Sequence, residues 1–161
     1  MIPRRVNTVV VGAGKTGLAM SADMRDHQID RVMLEHESIA ASWRDARWDS
    51  LVMNGPTWHD RFSDRGFDSD PYGFPSKDEV ARYFKDFARQ LGAPIHCGVE
   101  FIDATALQDG WYQVETSKVT IRADHIVAAT GPFQIPVILA IVPDGMVAQT
   151  HSSDYRTPKQ L

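Results

Sequence analysis

Six residues near the amino end, Gly12-Ala13-Gly14-Lys15-Thr16-Gly17, carry the first chemistry the chain offers. Gly-Lys-Thr closes the phosphate loop of nucleotide triphosphatases, whereas G-x-G-x-x-G is the turn that admits a dinucleotide. The triphosphatase loop needs a glycine five positions before Gly14, so that a wide arc of backbone amides wraps the phosphates. Val9 stands there, inside an apolar run, and that reading fails. The dinucleotide reading meets its conditions. Gly12 permits a tight turn, Gly14 lets a pyrophosphate approach the backbone, and Gly17 lets helix and strand pack closely. Glu35, about 20 residues on, is placed to accept hydrogen bonds from a ribose hydroxyl pair and would repel a 2′-phosphate. The expected ligand is therefore FAD or NAD, not NADP. The plainer alternative is a tight turn plus a solvated strand end. The order strand, glycines, helix, strand, acid favours the nucleotide.

These residues need a β-α-β frame, and the sequence supplies one. Residues 6–11 are apolar and β-branched, residues 15–27 read as a helix, and residues 31–35 as a second strand. Such units pack into parallel sheets. Residues 38–75 lose periodicity and hold Trp43, Trp48 and Trp58, a length that suggests a functional loop. Ser76 and Glu79 spell a capping box. The helix that follows places Val80, Tyr83, Phe84, Phe87 and Leu91 on one face and stops at Gly92. Three short strand-like runs come next, with turns at 108–110 and near Thr116-Ser117, and suggest an inserted antiparallel meander. Residues 125–131 return to a buried-strand pattern. The tail is punctuated by proline and reads as loop.

Bulk numbers narrow the classes. The 161 residues suffice for one domain with a core, and 43% hydrophobic with 24% charged is ordinary for a globular chain. A net charge of −4 argues against nucleic acid as the main partner. Cys97 is the single cysteine, which removes any intrachain disulfide or C-x-x-C redox pair, and it reads as a small buried apolar residue. No apolar run reaches the length of a membrane helix, and no leader pattern opens the sequence. A cytoplasmic protein is the expectation, with no membrane partner and no metal site.

Five segments in order, "VVVGAGKTGLAMS", "LEHESIAASWRDARWDSL", "YGFPSKDEVARYFKDFA", "IVAATGPFQIPVI" and "VAQTHSSDYRTPKQL", resemble the flavin-containing monooxygenase-like family. That family comprises FAD- and NADPH-dependent oxygenases, including plant YUCCA-type enzymes and bacterial relatives. The resemblance implies an α/β fold, a Rossmann-like FAD-binding domain with a parallel sheet and a small inserted meander, incomplete relative to the family. Gly12, Gly14 and Gly17 would hold the FAD pyrophosphate and Glu35 the adenosine ribose. Ser42, Trp43 and Arg44 would lie beside the flavin and its pyrophosphate, and Asn54 near the reactive edge as the catalytic candidate. Phe101 would contact adenine through its backbone, with Thr130 and Gly131 forming a second backbone approach to FAD. His151 and Tyr155 resemble the end of the linker fingerprint, His151 as a linker-fixing hydrogen-bond partner.

The implied reaction passes one oxygen atom from a flavin C4a-hydroperoxide to a small organic substrate. Residues 1–142 would be the first part of the FAD domain and 143–161 a linker towards an absent NADPH-binding domain. Three origins stay open: a truncated product, a fragment, or half of an enzyme completed by a separate chain. The rival expectations are a non-catalytic nucleotide-binding remnant and another FAD/NAD(P)-dependent oxidoreductase. Ala40 and Ala41 depart from the family pattern, which carries a glycine there, and Val147 stands where the fingerprint has another. A parallel sheet without its returning strand should also leave an open edge.

Overall fold

The computed structural model describes residues 1–132, 135–143 and 145–160. The chain forms two units, Met1–Ala40 with Arg82–Gly131, and Ala41–Ala81 with Pro132–Leu161.

The first unit is built on the expected β-α-β frame. Strand β1 is Arg5–Val11, helix α1 Lys15–Asp26 and strand β2 Arg31–Glu35. Val9 and Val10 are both fully buried although they point to opposite faces, the mark of a strand covered on both sides. Helix α1 packs on β1 and β2 and buries Gly17, Leu18, Ser21, Ala22 and Met24. Each large apolar side chain buried this way contributes roughly 1.5–3 kcal/mol.

Strands β3 (Ile95–Cys97), β4 (Phe101–Ala106), β5 (Tyr112–Thr116) and β6 (Thr120–Ala128) complete one six-stranded sheet in the order β3-β2-β1-β6-β5-β4. The pairs β3-β2, β2-β1 and β1-β6 are parallel, and β6-β5 and β5-β4 antiparallel. The expected meander is therefore continuous with the parallel sheet. Two runs that read as separate strands, 118–123 and 125–131, meet in the single strand β6 over Thr120–Ala128. Its first half serves both neighbours and its second half only β1. Val114, Ile121 and Ala123 from this antiparallel side join Val9, Val11, Val32, Leu34 and Val99 in one apolar cluster.

Two burial expectations change. Ile126 and Val127 are only half-buried, because β5 pairs no further along β6 than Ala123 and leaves 124–128 bonded on one side. Cys97 is exposed, not buried, since it ends the edge strand β3.

The second unit holds the short helix α2 (Ala41–Asp45) and the start of α3 (Lys77–Leu91), whose remaining residues belong to the first unit. The capping box is present: the Ser76 amide donates to Glu79 Oε2 at 2.8 Å and the Glu79 amide to Ser76 Oγ at 3.4 Å. The apolar face of α3 is buried as the spacing predicts. Gly92 takes a φ of 59° just beyond the last turn, a left-handed stop that glycine adopts without a Cβ clash. The aperiodic stretch ahead of α3 is ordered by backbone bonds. Met53 donates to the Pro75 carbonyl, Thr57 to Gly73, Trp58 to Pro71 and Lys77 to Leu51.

Candidate functional site

The glycine loop separates fold-driven from space-driven glycine. A Cβ on Gly12 would lie 2.4 Å from the Ala129 carbonyl oxygen, and one on Gly17 would lie 2.0 Å from the carbonyl oxygen of Gly12. Both glycines are demanded by the close pass of β1, α1 and the end of β6. Gly12 also holds a φ of 102°, which side-chain-bearing residues rarely adopt. Gly14 differs: its φ is −79° and a Cβ there would meet nothing within 4 Å.

Gly14 is the N-cap of α1. No side chain caps that end, and the first turn carries no acid. Helix-start amides and the dipole together favour a bound anion. Open space above a glycine at an uncapped helix start is what a diphosphate needs, so the residues fit FAD. The second predicted approach lies alongside. Gly12 sits against Ala129 and Thr130, the Ala129 amide donates to the Val11 carbonyl at 2.8 Å, and Gly131 turns with a φ of 76°.

Glu35, at the end of β2, is tied into this loop. Its Oε2 accepts from the Ala13 amide at 2.8 Å and its Oε1 from the Glu37 amide at 3.1 Å. A carboxylate offers about four acceptor positions, so two remain for a ribose diol. Gly12, Gly14, Gly17, Glu35, Thr130 and Gly131 are thus brought together in the first unit.

Phe101 stands at the start of β4. Its half-buried side chain packs on the apolar cluster and it opens β4 at a bulge. The residues bonded to the Glu35 turn are Gly98 and Val99, their amides donating to the carbonyls of Glu37 (3.1 Å) and Glu35 (3.0 Å). Sequence reading missed them, although a glycine after a strand was the available signal. Gly98 has a φ of 65°.

The other expected residues lie in the second unit. Ser42 and Arg44 are exposed on α2, with Arg44 paired to Asp45. Trp43 is half-buried, with the Arg47 guanidinium 5.8 Å from its ring centre. Asn54 is exposed in a turn before Gly55, where a Cβ would strike the Asp60 carboxylate at 2.3 Å. His151 Nδ1 lies 2.9 Å from Ser153 Oγ and accepts from the Ser153 amide at 3.1 Å, a turn-fixing arrangement. Tyr155 lines a recess of about 380 Å³ with Trp48, Thr150 and Ser152. Among the described residues no group of His, Cys, Asp and Glu is placed to hold a metal ion, and no helix is long and apolar enough to cross a membrane.

Known proteins are similar to this chain. The family model described as pyridine nucleotide-disulphide oxidoreductase covers residues 9–161. The Uncharacterized oxidoreductase CzcO-like of Geobacillus kaustophilus is 36% identical over 97% of this chain and 45% of its own length. Indole-3-pyruvate monooxygenase YUCCA1 of Oryza sativa is 28% identical over 95% of this chain and 39% of its own. The chain thus spans less than half the length of the curated relatives it matches. Among solved structures, a flavin-containing monooxygenase from Stenotrophomonas maltophilia superposes with a TM-score of 0.72 at 20% identity, over 80% of this chain and 39% of that one. Bacillithiol disulfide reductase Bdr from Bacillus cereus reaches 0.78 at 17% identity, over 88% and 44%. At those identities the two structures show a shared fold.

Proposed function

The chain belongs to the pyridine nucleotide-disulphide oxidoreductase family, and from that premise we propose that it is the FAD-binding portion of a flavin-dependent monooxygenase. The observation that carries this reading is Gly14, a glycine with no packing reason to be one, set at an uncapped helix start. The loop of Gly12, Gly14 and Gly17 would hold the diphosphate, and Glu35 the adenosine ribose. The backbone at Thr130 and Gly131 would approach the same cofactor, and that at Gly98 and Val99 the adenine end. FAD, when bound and reduced, activates dioxygen so that one oxygen atom passes to a small organic substrate.

On the resemblance, Ser42, Trp43 and Arg44 would border the flavin and Asn54 would hydrogen-bond at its reactive edge. The monooxygenase relatives support an oxygenase over a dithiol reductase, and so does the single cysteine, which gives no C-x-x-C pair. Glu35 would repel a 2′-phosphate, so reduction by NADPH needs a site other than this glycine loop. Residues 143–161 would then be the linker towards that site, and the protein would work in the cytoplasm.

The test is the visible spectrum of the purified protein before and after NADPH. A yellow protein that NADPH bleaches is the enzyme, and a yellow protein that stays unbleached is a cofactor-binding portion. A colourless soluble protein removes the reading. Gly14→Ala sharpens it: flavin affinity should fall at least about tenfold while the apo protein loses no more than about 1 kcal/mol at the cap. Gly17→Ala should instead destabilise the apo fold itself, because its Cβ meets backbone.

A further inference from the structure

The Arg156 side chain makes three hydrogen bonds to backbone carbonyls, and none of the roles above uses it. Its Nη1 donates to the carbonyls of Ser153 (2.7 Å) and Tyr155 (3.1 Å), and its Nη2 to the carbonyl of Asp45 (2.8 Å). Its own carbonyl accepts from the Asp49 amide at 3.0 Å. Asp45 closes α2, and a cation at the carboxyl end of a helix opposes its dipole. A planar guanidinium with five donors can serve three carbonyls at once; a lysine ammonium on a flexible stem holds such an array poorly. Lys77 secures the same stretch independently, its Nζ lying 3.2 Å from Asp49 Oδ1 and 3.4 Å from the Arg47 carbonyl. Trp48, between the two residues that Arg156 bonds, and Tyr155, next to Arg156, share the 380 Å³ recess.

We propose that Arg156 is a positioning residue, fixing α2 and residues 45–49 to the 151–157 turn so that Ser42, Trp43 and Arg44, the residues assigned above to the flavin, are held in one conformation. The role rests on the FAD reading above. It acts through backbone carbonyls and touches no cofactor.

The experiment compares Arg156→Ala, Arg156→Lys and Gln160→Ala in the full chain, by amide hydrogen exchange without cofactor and by FAD titration. Gln160 is the control: its Oε1 accepts from the Arg156 and Thr157 amides, so its loss loosens the turn without freeing Asp45. Arg156→Ala should speed exchange of the Asp49 amide about tenfold and raise the FAD dissociation constant about tenfold, with exchange in β1 and β2 unchanged. Arg156→Lys should recover part of both effects, and Gln160→Ala should leave FAD affinity within about twofold of wild type. Unchanged Asp49 exchange in Arg156→Ala overturns the role, as does an equal loss of affinity in Gln160→Ala. A wild type that binds FAD while Arg156→Ala binds equally well removes this role alone. A wild type that binds no FAD removes the cofactor reading and this role with it.

Discussion

Glu35 ties the glycine loop, and one substitution tests the ribose role proposed for it. Both of its oxygens accept from backbone amides, those of Ala13 and Glu37, and a carboxylate has further lone pairs for the proposed ribose contact. In Glu35→Gln one of those oxygens becomes an NH₂ group facing an N–H donor. The expected outcome is a loss of about 1 kcal/mol of stability, at the low end for an unmet hydrogen bond because the residue is half-exposed. FAD affinity should fall about tenfold, read by flavin fluorescence quenching beside a urea titration. Equal FAD affinity in the variant would remove the ribose role and leave Glu35 as a loop tie only. At this scale the sequence was informative where spacing encodes geometry, as in Gly12, Gly14, Gly17 and Glu35. It was silent on Gly98 and Val99, because which residues bond the Glu35 turn is decided by backbone pairing between segments far apart in the chain.

Among the elements, the turn from β2 into α2 carries a departure with a measurable consequence. Ala40 is buried and has a φ of 61°, in the left-handed region where an alanine Cβ crowds the backbone at a cost of about 1–2 kcal/mol. The family pattern has glycine in this stretch, and the structure supplies the reason. Ala40→Gly should therefore stabilise the protein by about 1 kcal/mol after the entropy of the unfolded glycine is set against the relief, raising Tm by about 2–4 °C in a thermal melt. No gain would mean that the turn relaxes around the methyl group.

Edge strand β3 gives a second consequence, in pH. Burial, first, and then the Met1 amino group and Lys118 hold the His96 imidazole below its ordinary value of 6.5. The unfolded chain takes that proton first, so stability is fully present above about pH 6.5 and declines as pH falls through the depressed folded value. His96→Gln should flatten the change in urea midpoint between about pH 7.5 and about pH 5; an unchanged slope would assign the acid sensitivity elsewhere. Helices α1 and α3 and the β-α-β frame were legible because their apolar periodicity is local, whereas the short α2 lay in the stretch read as aperiodic. The merging of two runs into β6 was not, since it is decided by pairing with β1 and β5 far away in the chain.

Over the whole molecule, two surfaces remain open that an ordinary chain of this size would cover. One is the half of β6 from 124 to 128, bonded to β1 on one side and to no described strand on the other. The second lies in the other unit. Ile135, Val137, Ile138, Leu139, Ile141, Met146 and Val147 are each more than half exposed, between 52% and 83%. Pro136 and Pro143 interrupt this run, and no described residue of it joins a strand, as the proline spacing led one to expect. So dense a set of exposed apolar side chains exceeds the scatter normal for a monomer surface and favours association. The expected behaviour is binding of an apolar fluorescent dye by the native protein and self-association as concentration rises, followed by light scattering. Replacing Ile138, Leu139 and Ile141 together with serine should reduce both while leaving Tm within about 1 °C, because side chains already in water lose no packing. A large drop in Tm would instead show that the run packs in solution, and the association would then have to be sought at the open half of β6.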